Sequence, residues 1–207
     1  MARFSLFNSR TDRGAAAAEG RFERRSEGGF SLVEVIVATS LLATALVTLA
    51  QLFAISTKTN LSSRNTTYAT VLAQQKVEEL RSLTWGFDLQ GLPISDTTSD
   101  TAVSPEQPNG GSGLAPSPKT ALNENTPGYV DYIDQFGNKL GGGAQPPANA
   151  IYMRRWSIEP LPTNPNNTLI IQVLVTRNRD RGAANDGAVN RLPDEARLIT
   201  VETRKAQ

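Results

Sequence analysis

The chain has 207 residues, of which 39% are hydrophobic and 6% aromatic, and its charges nearly cancel at +1. This length allows one domain of ordinary size with extensions, and the balanced charge creates no strong field that would attract nucleic acid. The sequence contains neither cysteine nor histidine. That absence excludes disulfides, Cys-based zinc sites, thiol nucleophiles and a Ser-His-Asp triad. We therefore expect no enzyme, no cofactor and no metal site.

The N-terminal segment, residues 1–29, is rich in arginine and shows no periodic pattern. It carries six arginines and four acidic residues, a net charge of +2. Three of the arginines, Arg21, Arg24 and Arg25, lie within ten residues of the apolar run that follows. Basic residues beside a membrane span favour the cytoplasmic side, so we expect this end of the chain to stay in the cytoplasm.

Residues 30–55 form an apolar run of 26 residues in which Glu34 is the only charge. A helix of this length reaches about 39 Å, which exceeds the roughly 30 Å thickness of a hydrocarbon core. Its hydroxyl side chains are tolerable there because they can donate to carbonyls one turn earlier. These residues are Ser31, Thr39, Ser40, Thr44 and Thr48. The run therefore predicts a transmembrane helix.

Helical character continues beyond this run. Apolar residues recur at spacings of three and four over residues 57–83, and polar residues fill the other face. No proline occurs before Pro93. One continuous helix from residue 30 to about 83 is therefore allowed. Its first part, residues 30–55, is apolar all round, and residues 56–86 form an amphipathic half.

The composition changes after this helix. The segment "TWGFDLQGLP" at residues 84–93 breaks the helical pattern, and residues 93–128 contain six prolines with many Ser, Thr, Asn and Gly residues. This composition predicts a variable loop or linker over residues 87–128, and a disordered loop is its simplest interpretation.

Four strand-like segments make up a C-terminal β-sheet domain, residues 129–207. They lie at residues 129–136, 151–158, 168–177 and 196–205. The third is apolar on both faces, which suits a central or covered strand. We expect a small antiparallel sheet packed on the amphipathic half of the helix, with Trp85 and Trp156 in the contact. The segment "DQFGNKL" at residues 134–140 predicts a structural turn, since one aspartate does not supply the six to eight oxygens of a calcium site.

The apolar run has two ordinary interpretations. A secretory signal peptide has an apolar core of about 7–15 residues followed by small residues, and "AIS" at residues 54–56 could serve as its cleavage site. The run is too long for that class, and a carboxylate inside it is unfavourable. A plain transmembrane anchor fits the length and the orientation. It gives no reason for Gly28, Gly29 and Glu34.

The stretch "GFSLVEVIVA" resembles the type III signal of type IV prepilins and pseudopilins. The resemblance implies that a membrane aspartyl peptidase cuts the bond after Gly29 and that the new N-terminal Phe30 is N-methylated. It also implies that Glu34 pairs with the N-terminal ammonium of an adjacent subunit. A snorkelling interfacial Glu34 without a partner is the alternative. The leader of 29 residues is longer than the short leader typical of the family.

Within this family the chain is most similar to minor subunits. Gln51 stands where major pilins commonly have proline, and the C-terminal cysteine pair of many pilins is absent. The segments "RRWSIEP", "LIIQVLVTR" and "ARLITVETRK" resemble V-type minor pilins and I-type minor pseudopilins. The implied fold is α+β and type IV pilin-like, with a long N-terminal helix (about 30–83) packed on a small antiparallel β-sheet. The implied role is a structural, priming or tip subunit of a pilus or a type II secretion pseudopilus.

The resemblance also implies a location and partners. The chain would cross the inner (cytoplasmic) membrane once, with the N-terminus in the cytoplasm and the C-terminal domain outside, and would then enter a filament. Its partners would be the prepilin peptidase/methylase, other pilins or pseudopilins, an inner-membrane assembly platform, and membrane lipid before assembly.

A tip-exposed binding pilin, acting in DNA uptake or adhesion, is the alternative function. Its ligand would be met by the 93–128 loop. A basic patch for DNA could come from Arg177, Arg179, Arg181 and Arg191, although Asp180 and Asp186 interrupt it. The first hypothesis needs no nucleic acid, and the second leaves it open. A membrane-anchored enzyme is the third hypothesis, and the sequence shows no carboxylate constellation for it.

Overall fold

The computed structural model describes residues 28–178 and 194–205. The described residues form a mixed α+β structure that divides into two units, one up to Leu49 and one from Ala50 onward. One helix, α1, runs over Leu32–Ser82. The strands are β1 (Trp85–Phe87), β2 (Pro93–Ser95), β3 (Val130–Ile133), β4 (Tyr152–Pro160), β5 (Thr168–Arg177) and β6 (Ala196–Thr203).

Helix α1 begins at Leu32, two residues after the predicted start. Its first backbone bond runs from Val35 N to Ser31 O at 3.1 Å. All residues from 28 to 61 are exposed, and α1 is long and apolar enough to cross a membrane. The predicted back-bonding is confirmed for four of the five hydroxyl groups, which donate to a carbonyl one turn earlier at 2.7–2.8 Å in Thr39, Ser40, Thr44 and Thr48. The fifth residue, Ser31, precedes α1.

The amphipathic part of α1 shares one hydrophobic core with the four-stranded sheet. Leu72, Val77 and Leu80 belong to the same buried cluster as Trp156 and Val173. The predicted core positions of the two tryptophans are confirmed, because Trp85 is 7% exposed and Trp156 is 1% exposed. The 3.6-residue period of the helix places its apolar side chains on one face, which the sheet covers.

The large sheet is antiparallel throughout, in the order β3-β4-β5-β6. Trp156 of β4 pairs with Val173 of β5, and Val173 pairs with Leu198 of β6. The four predicted strands are confirmed, although β3 has only four residues. Strand β5 lies between β4 and β6, as its two apolar faces predict.

A short hairpin, β1–β2, replaces part of the predicted loop. Its turn is closed by Asp88, whose Oδ1 accepts bonds from Gln90 N at 3.0 Å and Leu92 N at 2.7 Å. Two strands of three residues are too short to show an alternating pattern. Pro93 suggested a break, but a proline is compatible with the first residue of a strand.

Residues 96–128 contain no named strand but are held by backbone bonds. Asp100 and Gln107 exchange two such bonds, at 2.7 and 3.2 Å. Leu114 and Ala121 lie in the main core. A side chain at Gly111 would place its Cβ 2.2 Å from Ser99 O, so the turn closes tightly around this glycine. The expectation of a disordered loop is therefore wrong for this segment, because composition does not reveal which few apolar side chains are buried.

Candidate functional site

The predicted cleavage site lies in the residues that precede α1, which have no regular secondary structure. Phe30 is 81% exposed, and Gly28 and Gly29 are also exposed. A Cβ added at either glycine would meet no atom within 4 Å. The packing of the described residues therefore does not require glycine at these positions. A requirement for glycine would have to come from another protein that binds this segment.

Glu34 is the third residue of α1 and is exposed. It forms no ion pair or hydrogen bond with any residue in the described part of the chain. The positive end of the helix dipole favours a carboxylate in the first turn. This effect is modest, at about 0.3–1 kcal/mol, and it leaves the carboxylate oxygens free for another partner.

Ser31 directly precedes α1 and was predicted only as a hydroxyl residue that a membrane span tolerates. The spacing Ser31-x-x-Glu34 is that of a capping box, which could have been read from the sequence. Ser31 does stand at the cap position, since its carbonyl accepts the bond from Val35 N. The reciprocal side-chain bonds of the box are not formed among the described residues, so capping does not occupy Glu34.

The apolar side chains of α1 that lie beside Glu34 and along the helix after it are exposed. Side-chain exposure reaches 74% at Leu32, 68% at Leu41 and 65% at Phe53. No acidic residue lies on α1 between Glu34 and Glu78. Such a surface is larger than the apolar patches that soluble monomers expose, so it indicates contact with lipid or with another protein.

A second group of charges is fully buried between α1 and the sheet. Lys76, Asp131 and Arg154 are each 0% exposed. Arg154 donates two hydrogen bonds of 2.7 Å to the carboxylate of Asp131, and Lys76 Nζ lies 3.2 Å from Asp131 Oδ2. Lys76 also donates to Thr101 O at 2.7 Å, and its ammonium lies 3.9 Å from the centre of the Trp156 ring.

The buried charges perturb each other's protonation. Burial by itself raises the pKa of Asp131, but the nearby charges of Lys76 and Arg154 outweigh it and hold that pKa below its usual value. Burial lowers the pKa of Lys76, and the negative charges of Asp131 and Glu79 oppose this. The cluster extends toward the surface through Glu79 and Lys139, which form an ion pair.

This ionic cluster joins α1, the 96–128 segment, β3 and β4. It was not foreseen from the sequence, although Lys76 falls on the apolar face between Leu72 and Leu80. Each acid in it is paired with a cation. Among residues 28–178 and 194–205, no group of three or more His, Cys, Asp or Glu residues could hold a metal ion. The ion pairs and hydrogen bonds of the cluster link these elements to one another.

Two further sequence predictions concern loops. The turn predicted at residues 134–140 is confirmed, because Asp134 Oδ1 accepts bonds from Phe136 N and Asn138 N, both at 2.8 Å. Arg177, one of the four arginines of the proposed basic patch, lies 4.0 Å from Asp194 Oδ2. Asp194 in turn accepts a bond from Ser62 on α1 at 2.8 Å.

Some predicted features lie outside the described residues. These are the first 27 residues of the predicted leader, with Arg21, Arg24 and Arg25, and the patch residues Arg179, Arg181 and Arg191. Comparisons with protein-family models, with curated proteins and with solved structures found no match.

Proposed function

We propose that this chain is a minor pilin or pseudopilin, a structural, priming or tip subunit of a type IV pilus or a type II secretion pseudopilus. One observation carries the proposal. Glu34 has no partner among residues 28–178 and 194–205, and it lies in the first turn of an apolar, exposed helix, four residues after the accessible Gly29–Phe30 bond. A carboxylate costs roughly 2.5–3.5 kcal/mol at the centre of a membrane helix and less near its end, so a carboxylate inside an apolar span normally has a partner and a function.

The partner proposed for Glu34 is the N-terminal ammonium of Phe30 in a neighbouring subunit. Cleavage after Gly29 by the prepilin peptidase creates this amine, and N-methylation of Phe30 keeps its charge. The exposure of Phe30 supports this step, since the bond to be cut is not covered by the chain's own fold. The antiparallel sheet that shares a core with the second part of α1 supports a type IV pilin-like fold, which is part of the proposal.

The proposed mechanism uses the apolar helix twice. Before assembly, the helix crosses the inner membrane with the N-terminus in the cytoplasm, and lipid covers its side chains. The assembly platform then moves the subunit into the filament, where helices of other pilins or pseudopilins replace the lipid. Pairing of Glu34 with a neighbouring amine sets the axial register of the subunit.

Cleavage is tested by coexpressing the full chain with a prepilin peptidase and measuring its mass. The expected product lacks residues 1–29 and begins with Phe30. Gly29→Val should block the cut, and Gly28→Val is the matched control, because neither side chain would touch the rest of the chain. An unchanged mass of the wild-type protein would overturn the proposal. Equal effects of the two variants would remove the role of Gly29.

Assembly is tested separately with Glu34→Val. This variant should be cleaved normally but should enter sheared filaments at least tenfold less than the wild type. Glu78→Val is the control, because Glu78 is an exposed acid of the same helix that forms only a surface ion pair with Arg81. Normal incorporation of the Glu34 variant would refute the proposed pairing of Glu34 but would not affect the conclusion about cleavage.

The described residues favour the structural role over the tip-exposed binding pilin. In the 93–128 loop, which would meet a ligand, Leu114 and Ala121 lie in the hydrophobic core. Arg177, which would belong to the basic patch, lies near the carboxylate of Asp194. If DNA binding nevertheless occurs, the full chain should shift DNA in a salt-dependent manner. We propose no catalytic role for this chain.

A further inference from the structure

Strand β6 forms one edge of the four-stranded sheet, and the direction of its backbone groups can be derived. Arg204 N donates to Asn167 O at 2.8 Å, toward β5, whereas Lys205 N donates to Trp85 O at 3.3 Å, on the opposite side. Successive residues of a strand alternate in direction. The N–H and C=O groups of residues 197, 199, 201 and 203 therefore point away from β5.

These outward groups have no backbone partner among the described residues. The neighbouring strand β1 covers this edge only at Lys205, through a parallel bridge with Gly86. Proteins usually protect such an edge with proline, lysine, a bulge or an inward charge. Strand β6 contains no proline, glycine or lysine, and its one inward charge, Glu202, is already buried within its own chain.

The side chains that accompany the outward groups are apolar at the centre of the strand. Ile199 is 62% exposed and Val201 is 57% exposed. Arg197 and Thr203 flank them and are also exposed. An accessible ladder next to two large aliphatic side chains favours the addition of another strand.

We propose that β6 is a self-association edge, on which the β6 strand of a second copy of this chain adds in antiparallel direction about a two-fold axis at Thr200. This inference goes beyond the proposed function and does not depend on it. In this register Ile199 of each copy lies opposite Val201 of the other copy, so this pair occurs once on each side of the axis. Arg197 of each copy likewise lies opposite Thr203 of the other, so that no like charges are opposed.

The self-complementarity of the strand is the argument for a second copy. A two-fold axis requires that each side chain suit its counterpart in the same sequence. In this register aliphatic pairs meet at the centre, and such β-branched pairs stabilise antiparallel strands. Because β1 covers the edge at Lys205, the pairing is confined to residues 197–203 of each copy. The result is a continuous sheet across both copies.

A cysteine at the axis gives a direct test, since the wild-type chain contains none. Directly opposed residues at a non-hydrogen-bonded position lie about 4.5 Å apart between Cα atoms, within the range of a disulfide. The full chain with Thr200→Cys, purified in detergent micelles, should therefore form a disulfide dimer on mild oxidation. Lys119→Cys, at an exposed loop position, is the control and should remain monomeric.

A second pair of variants tests the ladder itself. Val201→Pro removes an outward N–H without removing a bond to β5, and should weaken dimerisation at least tenfold in analytical ultracentrifugation. Val201→Thr keeps the N–H and a β-branched side chain, and should change the dissociation constant much less. Circular dichroism of both variants would confirm that the sheet is retained.

The possible outcomes separate the alternatives. Cross-linking through Thr200→Cys together with the loss caused by Val201→Pro supports the proposal. A dimer that survives Val201→Pro and is not cross-linked at residue 200 would arise from the apolar helix and would overturn it. Slow hydrogen exchange of the 199 and 201 amides in a monomeric sample would also overturn it, because the edge would then be covered within one chain.

Discussion

Glu34 and Lys76 are both charged residues of α1, and their surroundings differ in every respect. Lys76 is 0% exposed and is surrounded by Asp131, Thr101 and the Trp156 ring. Glu34 is exposed on an apolar surface and has no partner in the described part of the chain. The charge of Lys76 is satisfied by the fold of its own domain. The charge of Glu34 requires water, lipid headgroups or another subunit.

The comparison separates two uses of one helix. In the part of α1 that carries Lys76, the apolar face is covered by the sheet, so side chains there determine the stability of the domain. In the part that carries Glu34, the apolar side chains are exposed, so they contribute to stability only after lipid or another protein covers them. A substitution should therefore have opposite consequences for folding and assembly in the two parts.

The largest expected effect comes from Asp131→Ala. It leaves Lys76 and Arg154 buried without their shared anion, which should lower the free energy of unfolding by about 3–5 kcal/mol. Denaturant titration of the full chain in detergent, followed by tryptophan fluorescence, measures the change. Glu78→Ala removes an exposed ion pair and should cost no more than about 1 kcal/mol. Equal losses in the two variants would show that the buried cluster does not stabilise the fold.

Two leucines on α1 sharpen the comparison without changing charge. Leu80 is 0% exposed, and Leu80→Ala should destabilise the domain by about 2–5 kcal/mol through a cavity. Leu46 is 56% exposed, and Leu46→Ala should leave the unfolding midpoint of the domain almost unchanged. The order of the two effects should reverse when incorporation into filaments is measured. Leu46→Ala should reduce incorporation more than Leu80→Ala, because only Leu46→Ala removes part of a contact surface. A large loss of domain stability from Leu46→Ala would contradict the division.

The pH dependence of unfolding should reveal the charge of Asp131. Its pKa in the folded state is held below the ordinary value of about 3.9 by Lys76 and Arg154. The unfolded state therefore binds the proton more readily, and the stabilisation is complete above about pH 4 and is lost as the pH falls through the folded pKa. Unfolding free energies measured between pH 2 and 6 should show this loss. Asp131→Asn should flatten the profile, and an unchanged slope would refute the assignment.

The smallest expected effect is a gain, from Glu202→Gln. Burial raises the pKa of Glu202, and its Oε2 lacks a hydrogen-bond partner among the described residues. The ionised form is therefore disfavoured in the folded state at pH 7, and the amide should stabilise the protein by about 1 kcal/mol. The gain should shrink as the pH falls toward about 4.3, where the wild-type residue is protonated. A destabilised variant at pH 7 would instead indicate a partner for the carboxylate.

The sequence predicted the elements with strong periodic patterns and missed those that depend on a few residues. The helix, expected over residues 30–83, runs over Leu32–Ser82, and the strand expected at residues 168–177 is β5. The β1–β2 hairpin and the packing of residues 96–128 were missed, because three-residue strands and single buried side chains such as Leu114 leave no periodic signal. Gly29, Phe30 and Glu34 were chosen from the sequence, and their roles remain predictions.

The sequence by itself determined the apolar run, the position of Glu34 within it and the alternation that forms the sheet, since these depend on the spacing of residues along the chain. Only the tertiary structure decided that Lys76, Asp131 and Arg154 share one buried site and that β6 lies at an edge. Residues 55 and 23 positions apart in sequence, as Lys76 is from Asp131 and Asp131 from Arg154, meet only when the helix packs on the sheet. Their charges are satisfied by this long-range packing, which local sequence patterns do not encode.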